Sequence, residues 1–148
     1  TMAQMLGHIN PFNYMRSYGF RNGVAGIGLK DEQRYIVWDP TWGADGFQYM
    51  VLGHELGHHV CGHTIANYRL GPQAMELEAD RFSGAAVRRL LEGSPYLELT
   101  VETIVRGMHK SLPKQASDSH PGIEERVAAF LKGYQEGSPC KMEGVVRF

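Results

Sequence analysis

Residues 54 to 58 read His-Glu-Leu-Gly-His. On a helix, His54 and His58 stand one turn apart and project their imidazoles from one face. That spacing lets two ring nitrogens grip a single zinc ion. Glu55 lies about 100° round the helix from them. From there it can reach a water on the metal and take its proton as a general base. The pattern points to zinc-assisted hydrolysis, above all of peptide bonds.

Two histidines do not hold a catalytic zinc alone. Such a site needs a third protein ligand and leaves the fourth position to water. Residues 76 to 80, Glu-Leu-Glu-Ala-Asp, offer one. Glu76 and Asp80 share a helix face, with Glu76 the third ligand. Asp80 would accept a hydrogen bond from the far nitrogen of a zinc-bound histidine, fixing its tautomer and raising its basicity. Glu78 points roughly the other way, beside Arg81 and Arg89. In an arbitrary helix Glu76 and Asp80 would read as a solvated acidic face paired with Arg81 or Arg88; the upstream motif favours ligation.

The other histidines read more plainly. His59 and His63 face about 100 to 140° away from the first pair. His63 falls on an apolar stripe and reads as a packed residue, His59 as merely adjacent. His8 and His109 have no identifiable partner. Cys61 and Cys140 belong to no C-x-x-C pair, which argues against a cysteine zinc site, and free thiols are the preferred reading.

These residues need elements to position them. The His-Glu-Leu-Gly-His stretch lies in a helix expected from Asp45 to Asn67, with Leu52, Leu56 and Val60 as its core stripe. Gly53 and Gly57, one turn apart, suggest that something packs very close to that side, since glycine costs a helix about 1 kcal/mol. Gly71-Pro72 restarts the chain, and a second helix runs from Pro72 to Leu91, stopping at Gly93. A weaker helix covers Tyr96 to His109, a polar loop Ser111 to Ser119, and a last helix Gly122 to Tyr134. Ahead of the zinc helix, Val24–Leu29 and Arg34–Trp38 read as strands joined by a polar turn. Residues 1 to 18 suggest a short, irregular helix, and Val145-Val146 a terminal strand.

With 148 residues, 43% of them hydrophobic and 21% charged, the composition is that of one domain spanning residues 1–148. Fifteen Lys and Arg against sixteen Asp and Glu argue against a nucleic-acid binder working by bulk charge. No apolar run approaches the roughly 20 residues that span a bilayer. The chain opens Thr-Met-Ala, as a processed form or an excised domain would.

The wording of these motifs resembles a known family. His-Glu-x-x-His followed by Glu-x-x-x-Asp on a later helix is the gluzincin pattern. HELGHHVCGH at 54–63 and MELEADRFSG at 75–84 resemble the HtpX-like and CAAX prenyl protease family of zinc metallopeptidases. SHPGIEERVAAF at 119–130 resembles that family's His-Pro…Arg motif, and NGVAGIGL at 22–29 its edge strand. The resemblance implies an α+β, zincin-like fold with a small sheet beside the zinc and glutamate helices. It implies one Zn2+ per chain on His54, His58 and Glu76, with Glu55 as base and His120 near the substrate carbonyl. Asn22 and Ala25 would lie along a bound peptide, and Arg126 near the cleft, where it holds the motif together rather than touching substrate; by itself it would read as a surface ion pair with Glu124 or Glu125.

Members of that family commonly carry membrane-spanning helices around the catalytic core, and this chain shows none. Membrane attachment would come from segments outside it. The resemblance favours a periplasmic or membrane-associated location over a cytoplasmic one. The expected partner is a peptide or protein substrate. The competing reading is a catalytically silent or latent zinc-stabilised module of the same fold, against which the intact Glu55 counts.

Overall fold

The computed structural model of the protein describes residues 12–43, 46–64, 71–137 and 140. Among these residues the fold is mixed α+β. Three strands come first, β1 (Phe12–Arg16), β2 (Gly23–Ile27) and β3 (Arg34–Trp38). Four helices follow, α1 (Phe47–Val60), α2 (Pro72–Leu90), α3 (Leu97–Ser111) and α4 (Ile123–Glu136). The expected terminal strand at Val145-Val146, and residues 45 and 65–67 of the helix expected from Asp45 to Asn67, lie outside the described residues.

The sheet has the order β1-β3-β2, so β2 is an edge strand. β2 and β3 pair antiparallel, with Ala25 opposite Ile36. Along β3 the burial alternates: Ile36 and Trp38 are buried, as a strand with one face on a core demands. The helix expected over residues 1–18 is corrected over its described part. Phe12–Arg16 form a strand running parallel to β3, from Phe12 against Arg34 to Arg16 against Trp38. Local pattern could not reveal this, because the ladder that decides it lies some twenty residues downstream.

Asp39, just past β3, organises the route into β2. Its buried carboxylate accepts the backbone N–H groups of Gly19 and Arg21, each at 2.9 Å, and the Thr41 hydroxyl at 2.6 Å. The Thr41 hydroxyl is the largest influence, and with the N–H donors it holds Asp39 below the usual carboxylate range. The Asp39 N–H donates to the carbonyl of Asn22 at 3.1 Å, fixing the start of β2.

The core lies between the sheet and the helices. Ile36, Phe47, Leu56, Phe82, Ile104 and Phe130 are all at most 1% exposed. α1 and α2 cross very closely. A methyl group on Gly53 would stand 3.1 Å from Ser83 Cα, and one on Gly57 2.9 Å from Phe82 Cβ. The paired glycines therefore serve helix packing. Each directly precedes a histidine of the motif, so the crossing hangs both imidazoles over the first half of α2. No helix among the described residues is long and apolar enough to cross a membrane.

Candidate metal centre

The two imidazoles, contributed by α1, meet a carboxylate from α2. His54 Nε2 lies 3.0 Å from His58 Nε2 and 2.8 Å from Glu76 Oε2. His58 Nε2 lies 3.4 Å from Glu76 Oε1. Glu55 Oε1 stands 3.9 Å from His54 Nε2. One atom from each of His54, Glu55 and His58 falls within 4.8 Å of the others, so this group could hold a metal ion. The donor set fits one: two nitrogens and a carboxylate crowd a single point. Glu76 Oε2, despite its closeness to His54, is buried without hydrogen-bond geometry to any partner. Such an oxygen needs positive charge beside it; Arg126 Nη2, 3.9 Å away, and the His54 ring supply part, and a metal ion would supply more.

Behind the cluster, Asp80 Oδ1 lies 2.7 Å from His54 Nδ1. That contact turns the other ring nitrogen, Nε2, towards Glu76 and His58. Arg126 then clamps Asp80, with Nε 2.8 Å from Oδ2 and Nη2 3.0 Å from Oδ1.

The field at this point favours positive charge. Burial opposes protonation of His54, but the Asp80 charge and hydrogen bond, with Glu76 and Glu55, outweigh it and raise His54 to about 10. A divalent cation would compete with that proton for the nitrogen. Burial pushes His58 down, towards the neutral form that a metal requires. Burial works to raise Glu76, yet the imidazoles of His54 and His58 set against its carboxylate outweigh it and hold Glu76 well below the usual carboxylate range. Asp80 follows the same logic: burial is overcome by His54 and Arg126, and it stays ionised. Burial pushes Glu55 up to about 7, with Glu76 adding to the shift and His54 opposing it. A carboxyl poised near neutral pH suits a group that must take a proton and return it.

The cluster sits in a cleft of about 360 Å3. Asn22, Gly23, Val24 and Ala25 form one wall, and His120 and Arg126 also line it. Among the described residues, no strand pairs with the outer side of β2. The His120 side chain is half exposed, with Nδ1 2.8 Å from Ser119 Oγ and Nε2 3.8 Å from Glu76 Oε1. Arg126 is buried, unlike a surface ion pair, and spends its guanidinium on Asp80.

Three further groups differ from the sequence reading. His63 packs, but not on the apolar stripe: its Nδ1 lies 2.9 Å from His58 Nδ1 and its Nε2 2.7 Å from Glu78 Oε1. Glu78 is thereby drawn into the buried network. The cause is that α1 ends at Val60, and Gly62, at φ 86°, turns the chain back. His59 is buried as well, with Nε2 2.8 Å from the Tyr35 carbonyl, tying α1 to β3. Cys61 and Cys140 form a disulfide, not free thiols. Their Cα atoms are 5.6 Å apart across 79 positions of sequence, a pairing that only the tertiary fold reveals.

Comparison with protein-family models, with curated proteins and with solved structures finds no match to this chain.

Proposed function

We propose that this chain is a zinc-dependent endopeptidase domain with a zincin-like, gluzincin arrangement, akin to the HtpX-like and CAAX prenyl protease metallopeptidases. The observation that carries it is the convergence of His54 Nε2, His58 Nε2 and the Glu76 carboxylate within 2.8–3.4 Å, beside a buried Glu55 at the floor of a cleft. His54, His58 and Glu76 would hold the ion. Bound there, zinc supplies a Lewis acid that acidifies water and polarises a carbonyl.

The chain's own residues do the rest. Glu55 takes a proton from the attacking water and returns it to the leaving amine. His120 leans in from the cleft rim, and its Nε2 donates to the oxyanion as it develops. An extended peptide lies along β2, pairing main chain with the open edge near Asn22 and Ala25. Asp80 and Arg126 keep His54 oriented. The Cys61–Cys140 bond fits an oxidising compartment.

The test is metal analysis followed by digestion of a peptide library, with and without chelator. The expected result is one zinc per chain, chelator-sensitive cleavage, and loss of cleavage in Glu55→Gln with zinc retained. Full activity in that variant would remove Glu55 as the base. Zinc binding without any cleavage would instead favour a silent or latent module.

A further inference from the structure

We propose that His63 is a positioning residue of the metal centre, relaying the Glu78 carboxylate to His58 so that His58 presents its Nε2 lone pair to the ion. This rests on the zinc-site reading above.

The two ligand histidines are served from one helix, but unequally. Asp80 reaches His54 directly, at 2.7 Å from Nδ1. His58 has no carboxylate on its Nδ1; the group there is His63 Nδ1, at 2.9 Å. Two facing ring nitrogens need one proton between them. The far side of His63 decides which ring carries it. His63 Nε2 lies 2.7 Å from Glu78 Oε1, and a carboxylate only accepts, so Nε2 bears the hydrogen. His63 Nδ1 is then the acceptor, and His58 Nδ1 the donor. The remaining nitrogen of His58, Nε2, is left bare, and it faces Glu76 and His54. Glu78 and Asp80, two residues apart on α2, thus set the two ligand tautomers, one through an intermediary and one without.

The backbone is built for this. Gly62 N–H donates to the His59 carbonyl at 3.2 Å and His63 N–H to the His58 carbonyl at 2.8 Å. This is the paired closure of a Schellman turn, with Gly62 in the left-handed conformation at φ 86°. Such turns usually bring the residue after the glycine against the helix residue five positions earlier through an apolar contact. Here the same closure places imidazole on imidazole. The side chains of His63 and Glu78 are 2% and 4% exposed, so bulk water has little access to their contact.

The experiment compares zinc affinity, by competition with a chromogenic chelator, across the intact chain and the variants His63→Leu, His63→Gln and Glu78→Gln. Metal-free thermal unfolding is measured alongside. Leucine keeps bulk and removes the relay. A glutamine can accept from His58 through its carbonyl and donate to Glu78 through its amide. The expected result is a 10- to 100-fold loss of affinity in His63→Leu, with most of it recovered in His63→Gln. Affinity in His63→Leu equal to that of the intact chain overturns the relay while leaving the metal centre standing. Equal loss in His63→Leu and His63→Gln also overturns it. If the intact chain binds no zinc, the metal-centre reading falls and the relay with it. If His63→Leu does not fold, Glu78→Gln decides. Weaker zinc binding at unchanged metal-free stability supports the relay, and unchanged zinc binding overturns it.

Discussion

Arg126 grips Asp80 with two parallel contacts, Nε to Oδ2 at 2.8 Å and Nη2 to Oδ1 at 3.0 Å, inside a core that leaves Asp80 0% exposed. The pair links α4 to the candidate metal centre, because Asp80 also holds His54. Breaking a buried pair by removing one partner strands the other charge, at a cost of about 3–5 kcal/mol. Arg126→Met is therefore expected to lower unfolding free energy by about 3 kcal/mol and to weaken zinc binding tenfold or more. Arg126→Lys keeps the charge but not the fork, so it should restore only part of either. Urea melts and chelator competition read both effects. Unaltered zinc affinity in Arg126→Met would show that Asp80 orients His54 without help.

The α1–α2 crossing yields a second expectation. A methyl on Gly57 would meet Phe82 Cβ at 2.9 Å and the backbone Ala79 Cα at 3.2 Å. Overpacking of this kind costs about 1–3 kcal/mol, against a gain of about 1 kcal/mol in helix propensity. Neither neighbouring atom is the free end of a side chain, so overpacking should win. Gly57→Ala is expected to lose stability and, with His58 adjacent, zinc affinity. Gly26 is the control: a methyl there meets nothing within 4 Å. If Gly57→Ala melts no lower than Gly26→Ala, the α1–α2 crossing accommodates a methyl group without strain.

How much of this was legible beforehand depended on the range of the contact. His54, Glu55, His58, Glu76 and Asp80 lie on two helices whose periodicity and punctuation are local, and the Gly53/Gly57 pairing announced the close crossing. β1 and the disulfide were hidden because each depends on a partner distant in sequence, β3 for one and Cys140 for the other. His63 was hidden for a subtler reason. Sequence spacing places it on a helix running to Asn67, whereas the helix ends at Val60 and Gly62 turns the chain back. A glycine one position past the last helical turn carries that signal, and it places His63 opposite His58 rather than on the Leu52 and Leu56 stripe.

Asp39 gives a pH dependence away from the candidate metal centre. The Thr41 hydroxyl and the backbone N–H groups of Gly19, Arg21 and Thr41 stabilise its charged form, so its folded pKa lies below the unfolded value. A depressed carboxyl contributes stability above the unfolded pKa, roughly 3.9, and loses it as pH falls through the folded one. Asp39→Asn is expected to be less stable at neutral pH, and to lose less than the native chain on acidification from pH about 5 to 3. Thermal melts across that range measure it. Parallel curves for the two proteins would mean that the carboxylate's charge is not what the loop uses.

The disulfide supplies the last expectation. Cys61 caps α1, three residues past His58, and its bond to Cys140 closes a loop of 79 positions. In the chain-entropy picture, a cross-link of that span stabilises by about 4 kcal/mol, by restricting the unfolded chain. Cys140→Ser is therefore expected to lower unfolding free energy by up to about 4 kcal/mol, and reductant should reproduce most of that in the native chain. Zinc affinity should fall far less. His54, His58 and Glu76 are held by the α1–α2 crossing and by Asp80, whereas the bond joins the end of α1 to Cys140 and not to α2. Equal losses of stability and zinc affinity would instead mean that the bond braces the turn carrying His63, and that the crossing alone does not hold the ligands in place.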